Sequence, residues 1–122
     1  MTTVEIANKL VELCRQGKNQ EAKALYADDA VSVEAFAPPG MDRESRGLAA
    51  IEAKGEWWSA NHEIHSFTVA GPWPTDDKFI VGFKFEVTNK PSGKRMMMEE
   101  MALYCVMDGK IVREEFFYTA GS

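Results

Sequence analysis

Apolar and polar positions change period partway along the chain. Near the N-terminus Val4, Ala7, Val11 and Cys14 recur at helical spacing, with Leu10 widening the stripe. Thr2-Thr3-Val4-Glu5 matches a capping box, in which hydroxyl and carboxylate satisfy free backbone donors reciprocally, and Gly17 is placed to end the helix. A second, short helix is predicted from about Asn19 to Asp28-Asp29, with Ala22, Leu25 and Tyr26 on one side. Val31 to Phe36 alternates as a strand and stops at Pro38-Pro39-Gly40. Ser45 can cap a third helix, whose stripe is Leu48, Ile51, Gly55 and Trp58, with His62 one turn beyond. From there the period is two. Ile64 to Ala70 is a strand closed by Gly71-Pro72-Trp73-Pro74, and Phe79 to Val87 alternates with Phe79, Val81, Phe83, Phe85 and Val87 on one face. Met96 to Tyr118 reads as a long hairpin turning at Asp108-Gly109, a pair suited to the positive φ angles of a two-residue turn. Helices followed by strands joined mostly by short turns predict an α+β domain over residues 1–122, with helices on one face of a curved, mainly antiparallel sheet.

Parity along the hairpin assigns faces to its acids. With Met107 opposite Lys110 and strict alternation beyond, Glu100, Ala102, Tyr104 and Val106 share a face with Ile111, Arg113, Glu115 and Phe117. Pairing Lys84 with Glu99 across the preceding turn sets Phe83 beside Glu100 on that same face. Phe83, Phe85, Tyr104 and Phe117, interrupted by Glu100, Arg113 and Glu115, compose the wall of a mostly apolar pocket. The opposite face carries Met101, Leu103, Cys105, Val112 and Phe116, with Glu99 and Glu114 at its rim; it is too apolar for free solvation and predicts a homodimer.

Chemistry narrows from there. A carboxyl in an apolar wall has its charged form disfavoured, which moves its pKa towards values useful for proton transfer, so Glu100 and Glu115 are candidate acid/base residues. Equally, Arg113 can neutralise either of them in a purely structural network. His65 shares parity with Phe67 and Val69 and is a candidate proton shuttle or donor in the pocket; Tyr104 is a candidate polarising group. Trp57 is placed at the pocket mouth and Trp58 in the core, while Glu34 on the first strand fits either the pocket or solvent. His62-x-x-His65 lacks the His-Glu-x-x-His pattern, and no phosphate-cradling glycine loop or Ser/Cys nucleophile motif is present, so neither metal nor cofactor is expected. A net charge of −5 disfavours nucleic acid and anionic membranes as partners, and no apolar run reaches spanning length. Cys14 and Cys105, isolated and read as reduced thiols, together with a start lacking a signal-peptide pattern, predict a cytoplasmic protein.

Three stretches carry a resemblance. Leu25-Tyr-Ala-Asp-Asp-Ala-Val31, Arg46-Gly-Leu-Ala-Ala-Ile51 opening a Trp-bearing helix, and Asp108 to Tyr118 together resemble the nuclear transport factor 2-like superfamily, in its SnoaL-like branch. The resemblance implies a cone-shaped barrel, a strongly bent sheet wrapped around the N-terminal helices with a deep pocket between, and commonly a dimer through the outer sheet face. Superfamily members include ketosteroid isomerase, polyketide cyclases, limonene epoxide hydrolase, scytalone dehydratase and non-catalytic binding proteins, so fold alone leaves function open. The cyclases use an acid on the late strands, typically Asp, with a His nearby; Glu115 lies at an approximately comparable position, and Tyr104 with Glu100 is a loose analogue of the isomerase oxyanion pair. The reading that results is a pocket protein for a hydrophobic small molecule, doing acid/base proton transfer of isomerase, cyclase, dehydratase or hydrolase type with Glu115, Glu100, His65 and Tyr104, and lined by Trp57, Phe83, Phe117 and Arg113. The alternative is a non-catalytic binding or interaction module of the same fold.

Overall fold

Helix α1 (Thr3–Arg15) begins at the predicted capping box: the Glu5 amide donates to Thr2 Oγ1 at 3.2 Å and the Thr2 amide to Glu5 Oε1 at 2.9 Å. Its buried stripe is Ile6, Ala7, Leu10, Val11 and Leu13, so Val4 faces solvent instead of the core. The computed structural model describes residues 1–119; residues 120–122, part of the expected domain, lie outside the described residues. Gly17, at φ +73°, releases the chain from α1 as predicted. Helix α2 (Asn19–Ala22) and a 3₁₀ turn (Lys23–Leu25) are shorter than expected, and strand β1 (Tyr26–Val33) already starts at Tyr26. The physical reason is tertiary: Tyr26 is buried against the sheet and its backbone pairs with the last strand.

β2 (Glu44–Arg46) is a short edge strand on β1, so Ser45 is a strand residue and Gly47, at φ +89°, occupies the N-cap of α3 (Leu48–Asn61). The remaining strands are β3 (His62–Thr75), β4 (Lys78–Asn89), β5 (Lys94–Met107) and β6 (Lys110–Phe117). Gly71-Pro72-Trp73-Pro74, expected to close β3, lies inside it as a register irregularity between Ala70 and Trp73. Long strands interrupted by bulges bend and twist, which curves the sheet around its helices.

The sheet order is β2-β1-β6-β5-β4-β3, antiparallel throughout except where β1 runs parallel to β6. The α+β architecture is as predicted; the sheet is open, with β2 and β3 as its edges, so the expected barrel does not close. α1 packs on β3 and β4, and α3 on β1, β2 and β3. The core between them includes Ile6, Leu10, Ile51, Phe79, Val81 and Ile111, all essentially inaccessible to solvent. Burying side chains of this size stabilises the fold by roughly 2 kcal/mol each, which holds the helices against the concave face.

Two registers decide where the acids go. β4 and β5 pair as expected, with Phe83 opposite Glu100 and Lys84 opposite Glu99, the latter pair 3.8 Å apart. β5 and β6 begin as expected at Met107 with Lys110 and Val106 with Ile111, across an Asp108-Gly109 turn with both φ positive. The ladder then shifts by one residue, so that Cys105 faces Arg113 and Tyr104 faces Glu114. A single extra residue reverses the facing of everything beyond it. Glu114 and Phe116 therefore turn towards the helices, and Arg113, Glu115 and Phe117 turn outwards, opposite to the simple parity reading.

Candidate functional site

A cavity of about 220 Å³ lies between α2, α3 and the concave face of the sheet. Its apolar wall includes Ile51 and Trp58 from α3, Ile64 from β3, Phe85 from β4, Met98 from β5 and Phe116 from β6. Four carboxyl groups and two lysines line it from different elements: Glu34 just beyond β1, Glu52 and Lys54 on α3, Glu100 on β5, Glu114 on β6 and Lys23 in the 3₁₀ turn. A largely apolar enclosure with a few converging polar groups is the usual make-up of a small-molecule site.

The carboxyl groups differ in what satisfies them. Glu114 is only 2% exposed and accepts two hydroxyl hydrogen bonds, from Tyr26 to Oε1 and from Ser32 to Oε2, the second at 2.7 Å. With the Ser32 proton directed at Glu114, the Ser32 oxygen accepts from Lys54 Nζ. Lys54 Nζ also lies 3.4 Å from Glu34 Oε2 and 5.2 Å from the centre of the Phe116 ring. Glu34 accepts in turn from the Tyr118 hydroxyl at 3.4 Å. Glu100 has no hydrogen-bond donor among the described residues. Burial, then the negative charges of Glu34 and Glu114, push its pKa up to about 7 against the opposing pull of Lys54. Burial and the Glu114 charge hold the Tyr26 and Tyr104 phenols well above the usual range, so both remain protonated.

Of the residues singled out in the sequence, Glu100 lies on the cavity wall. Glu115 does not: it sits on the outer face, 3.3 Å from its strand neighbour Arg113, which is also turned out. Tyr104 is buried in the core, stacked on Phe79 at 4.7 Å between ring centres. His65 falls at the β3 irregularity between Ile64 and Ser66, which carries it out of the expected parity; it is exposed and 2.7 Å from Thr88 Oγ1. The other histidine, His62, stacks on Trp58 at 4.3 Å. Trp57 is 62% exposed, and its neighbour Trp58 takes the cavity position, the reverse of the expected assignment. Phe83 is buried behind Phe85, against which it stacks at 5.9 Å, and Phe117 lies outside while Phe116 lines the cavity. Lys54 and Ser32 escaped the sequence reading. Ile51, Lys54, Gly55 and Trp58 share helical spacing, and Ser32 and Glu34 share strand parity, so both were in principle legible. Among the described residues no group of three or more His, Cys, Asp or Glu side chains is arranged to hold a metal ion.

The family model for the SnoaL-like domain matches residues 1–118. This chain is a SnoaL-like protein. The crystal structure of a candidate SnoaL-like polyketide cyclase from Mesorhizobium loti is 44% identical to it, with a TM-score of 0.91 over 97% of this chain and all of that one (100%). Two more distant structures share the fold: a candidate isomerase from Bacillus subtilis, at 21% identity and TM-score 0.78 over 98% and 90% of the two chains, and a nuclear transport factor 2-like protein from Burkholderia thailandensis, at 18% and 0.83 over 98% and 92%. No curated protein matches the sequence. In this SnoaL-like protein the inward side chains of α3, β5 and β6 thus form the pocket, and the one-residue shift in β6 selects Glu114 over Glu115 for it.

Proposed function

We propose that this SnoaL-like protein binds a hydrophobic small molecule in its cavity and catalyses acid/base proton transfer on it, of the isomerase, cyclase, dehydratase or hydrolase type, with Glu100 as the proton-transferring group. The observation that carries the reading is the Glu100 carboxyl itself: it faces an apolar cavity, lacks a donor among the described residues, and has a pKa raised to about 7. A base whose pKa lies near the working pH is abundant in its ionised form and still holds a proton strongly, which is the most effective compromise for general catalysis. Glu114 is the poorer candidate because both of its oxygens already accept hydroxyl hydrogen bonds, and Glu115 faces away from the cavity. Trp58, Phe85 and Phe116 supply the apolar surface for the ligand body.

Carbon-13 NMR of glutamate-labelled protein, with Glu100→Gln to assign the resonance, tests this directly. The Glu100 carboxyl is expected to titrate near pH 7 in the free protein and to respond to a bound ligand. An ordinary carboxyl titration with no response to any cavity ligand removes the catalytic role and leaves a binding module.

The same reading includes a homodimer through the outer sheet face. Ile80, Met97, Met101 and Phe117 are exposed there beside half-buried Leu103, an apolar area that a partner of the same kind would cover. Phe116, formerly counted in that face, points into the cavity and is not part of it. Both cysteines are free thiols, which suits a reducing, cytoplasmic setting, and among the described residues no helix is long and apolar enough to cross a membrane.

A further inference from the structure

Lys54 stands out because its surroundings use only part of what it offers. A lysine ammonium carries three N–H donors and no acceptor. Two are directed at Ser32 Oγ and Glu34 Oε2, both on the β1 side of the cavity. Those contacts also set the direction of the bond: the Ser32 proton is directed at Glu114, so Ser32 accepts and Lys54 donates. It sits on the α3 stripe that lines the cavity, with the Phe116 ring beneath its ammonium. Glu100 lies close enough to feel its charge and has no donor of its own. Among the described residues the cavity therefore holds a carboxyl without a donor and a lysine with one N–H uncommitted.

We infer that Lys54 is the oxygen-anchoring residue of the cavity, donating its remaining N–H to the carbonyl oxygen of a hydrophobic ketone whose adjacent C–H bond faces Glu100. This rests on the proton-transfer reading above and adds to it the group that fixes ligand orientation. The Glu100 carboxylate takes the proton from the carbon beside the carbonyl. The C–H electron pair becomes the new C=C bond, the carbonyl π pair moves onto oxygen, and the enolate oxygen accepts from Lys54. The negative charge passes from Glu100 to the enolate, so the charge count of the cavity is unchanged; return of the proton from Glu100 to carbon completes the exchange. Such a donor, aimed at the atom where charge develops, acts on the transition state more strongly than on the ground state. Four carboxyl groups, Glu34, Glu52, Glu100 and Glu114, outnumber Lys23 and Lys54 on these walls, which disfavours a ligand carboxylate and makes a neutral ketone the fitting class.

The probes are 2-tetralone, a bicyclic ketone with acidic C–H bonds beside its carbonyl, and tetralin, the same ring system without oxygen. A ketone oxygen only accepts, and at about pH 9 Glu100 is ionised and cannot donate, so the Lys54 N–H is the donor to be tested, with its own variant separating it from Lys23 on the same walls. Calorimetry is expected to show the wild type binding the ketone about tenfold tighter than the hydrocarbon, the scale of a hydrogen bond to a charged group. Lys54→Met is expected to bring that ratio to unity or below, and Lys54→Arg to keep it within about threefold of wild type. Should Lys54→Met fail to fold because Glu34 loses its partner, Glu34→Gln with Lys54→Met removes the stranded carboxylate and gives the same reading. A wild-type ratio of one or less, or a ratio unchanged by the Met variant, overturns the assignment. Deuterium uptake at the carbon beside the carbonyl, lost in Glu100→Gln, reports separately on Glu100. A ratio that depends on Lys54 without deuterium uptake upholds the anchor and removes the catalytic reading; uptake with no dependence of the ratio on Lys54 does the opposite.

Discussion

Three glutamates on two neighbouring strands have three different physical fates. Glu100, on the cavity wall with no donor among the described residues, is held protonated to about pH 7 by burial and by Glu34 and Glu114. The linkage sign follows from that direction. Because the folded pKa lies above the ordinary 4.5, the folded state binds the extra proton, so this contribution to stability is fully present below about pH 4.5 and is lost as pH rises to about 7. The loss is about 3 kcal/mol across that window, and Glu100→Gln is expected to abolish it and to be the more stable protein at pH 8, measured by urea unfolding across pH. Glu114 is tied to Tyr26 and Ser32 in the interior, so Glu114→Ala strands buried hydroxyls and is expected to cost about 3 kcal/mol. Glu115→Ala removes only a partly exposed pair with Arg113 and is expected to change stability by about 0.5 kcal/mol or less in the same assay. Glu100 was legible because strict alternation in β4 and β5 and the Lys84–Glu99 pair set its facing. Glu114 was not, since nothing in Lys110 to Phe117 announces the one-residue shift.

At the level of elements, α3 supplies one wall of the cavity with a helical stripe in which Gly55 is the gap. A side chain built at Gly55 would meet nothing within 4 Å, and the residue lines the cavity. Gly55→Ala is therefore expected to raise stability by about 0.5–1 kcal/mol through helix propensity, seen as a higher Tm. Gly55→Leu is expected to fold and to weaken binding of a cavity ligand such as 2-tetralone by about tenfold or more, because its side chain occupies the ligand's space. The elements themselves were largely readable from periodicity and caps. The exceptions have a shared cause: Tyr26, Ser45 and Gly71 to Pro74 have local signals for a helix side, a helix cap and a turn, yet each is drawn into a strand by a neighbour's backbone or by burial. Local propensity amounts to a few tenths of a kcal/mol per residue, and a ladder of strand pairs outweighs it.

For the whole molecule, the curved sheet divides the chain's apolar surface between an inner face that holds the helices and the cavity, and an outer face left without cover. Met101 is 42% exposed and Ile80 37%, on adjacent strands in the middle of that outer face. Sedimentation equilibrium is expected to give twice the chain mass for the wild type and the chain mass for Met101→Glu with Ile80→Lys, with unchanged secondary structure; a wild-type monomer removes the dimer from the proposal.

By itself the sequence determined the starts of the first two helices, the period-two strands, the tight turn at Asp108-Gly109, the family resemblance and the inward facing of Glu100, because each depends on residues close together in the chain or on one regular ladder. Tertiary structure decided the rest. The open edges, the parallel join of β1 to β6, the bulge that exchanges Glu115 and Phe117 for Glu114 and Phe116, and the meeting of Lys54, Ser32 and Glu34 all come from packing between distant segments. A bulge costs little locally and is settled by which side chains the core can bury, and a hydrogen-bonded network that joins α3, β1 and β6 exists only once those elements are in place.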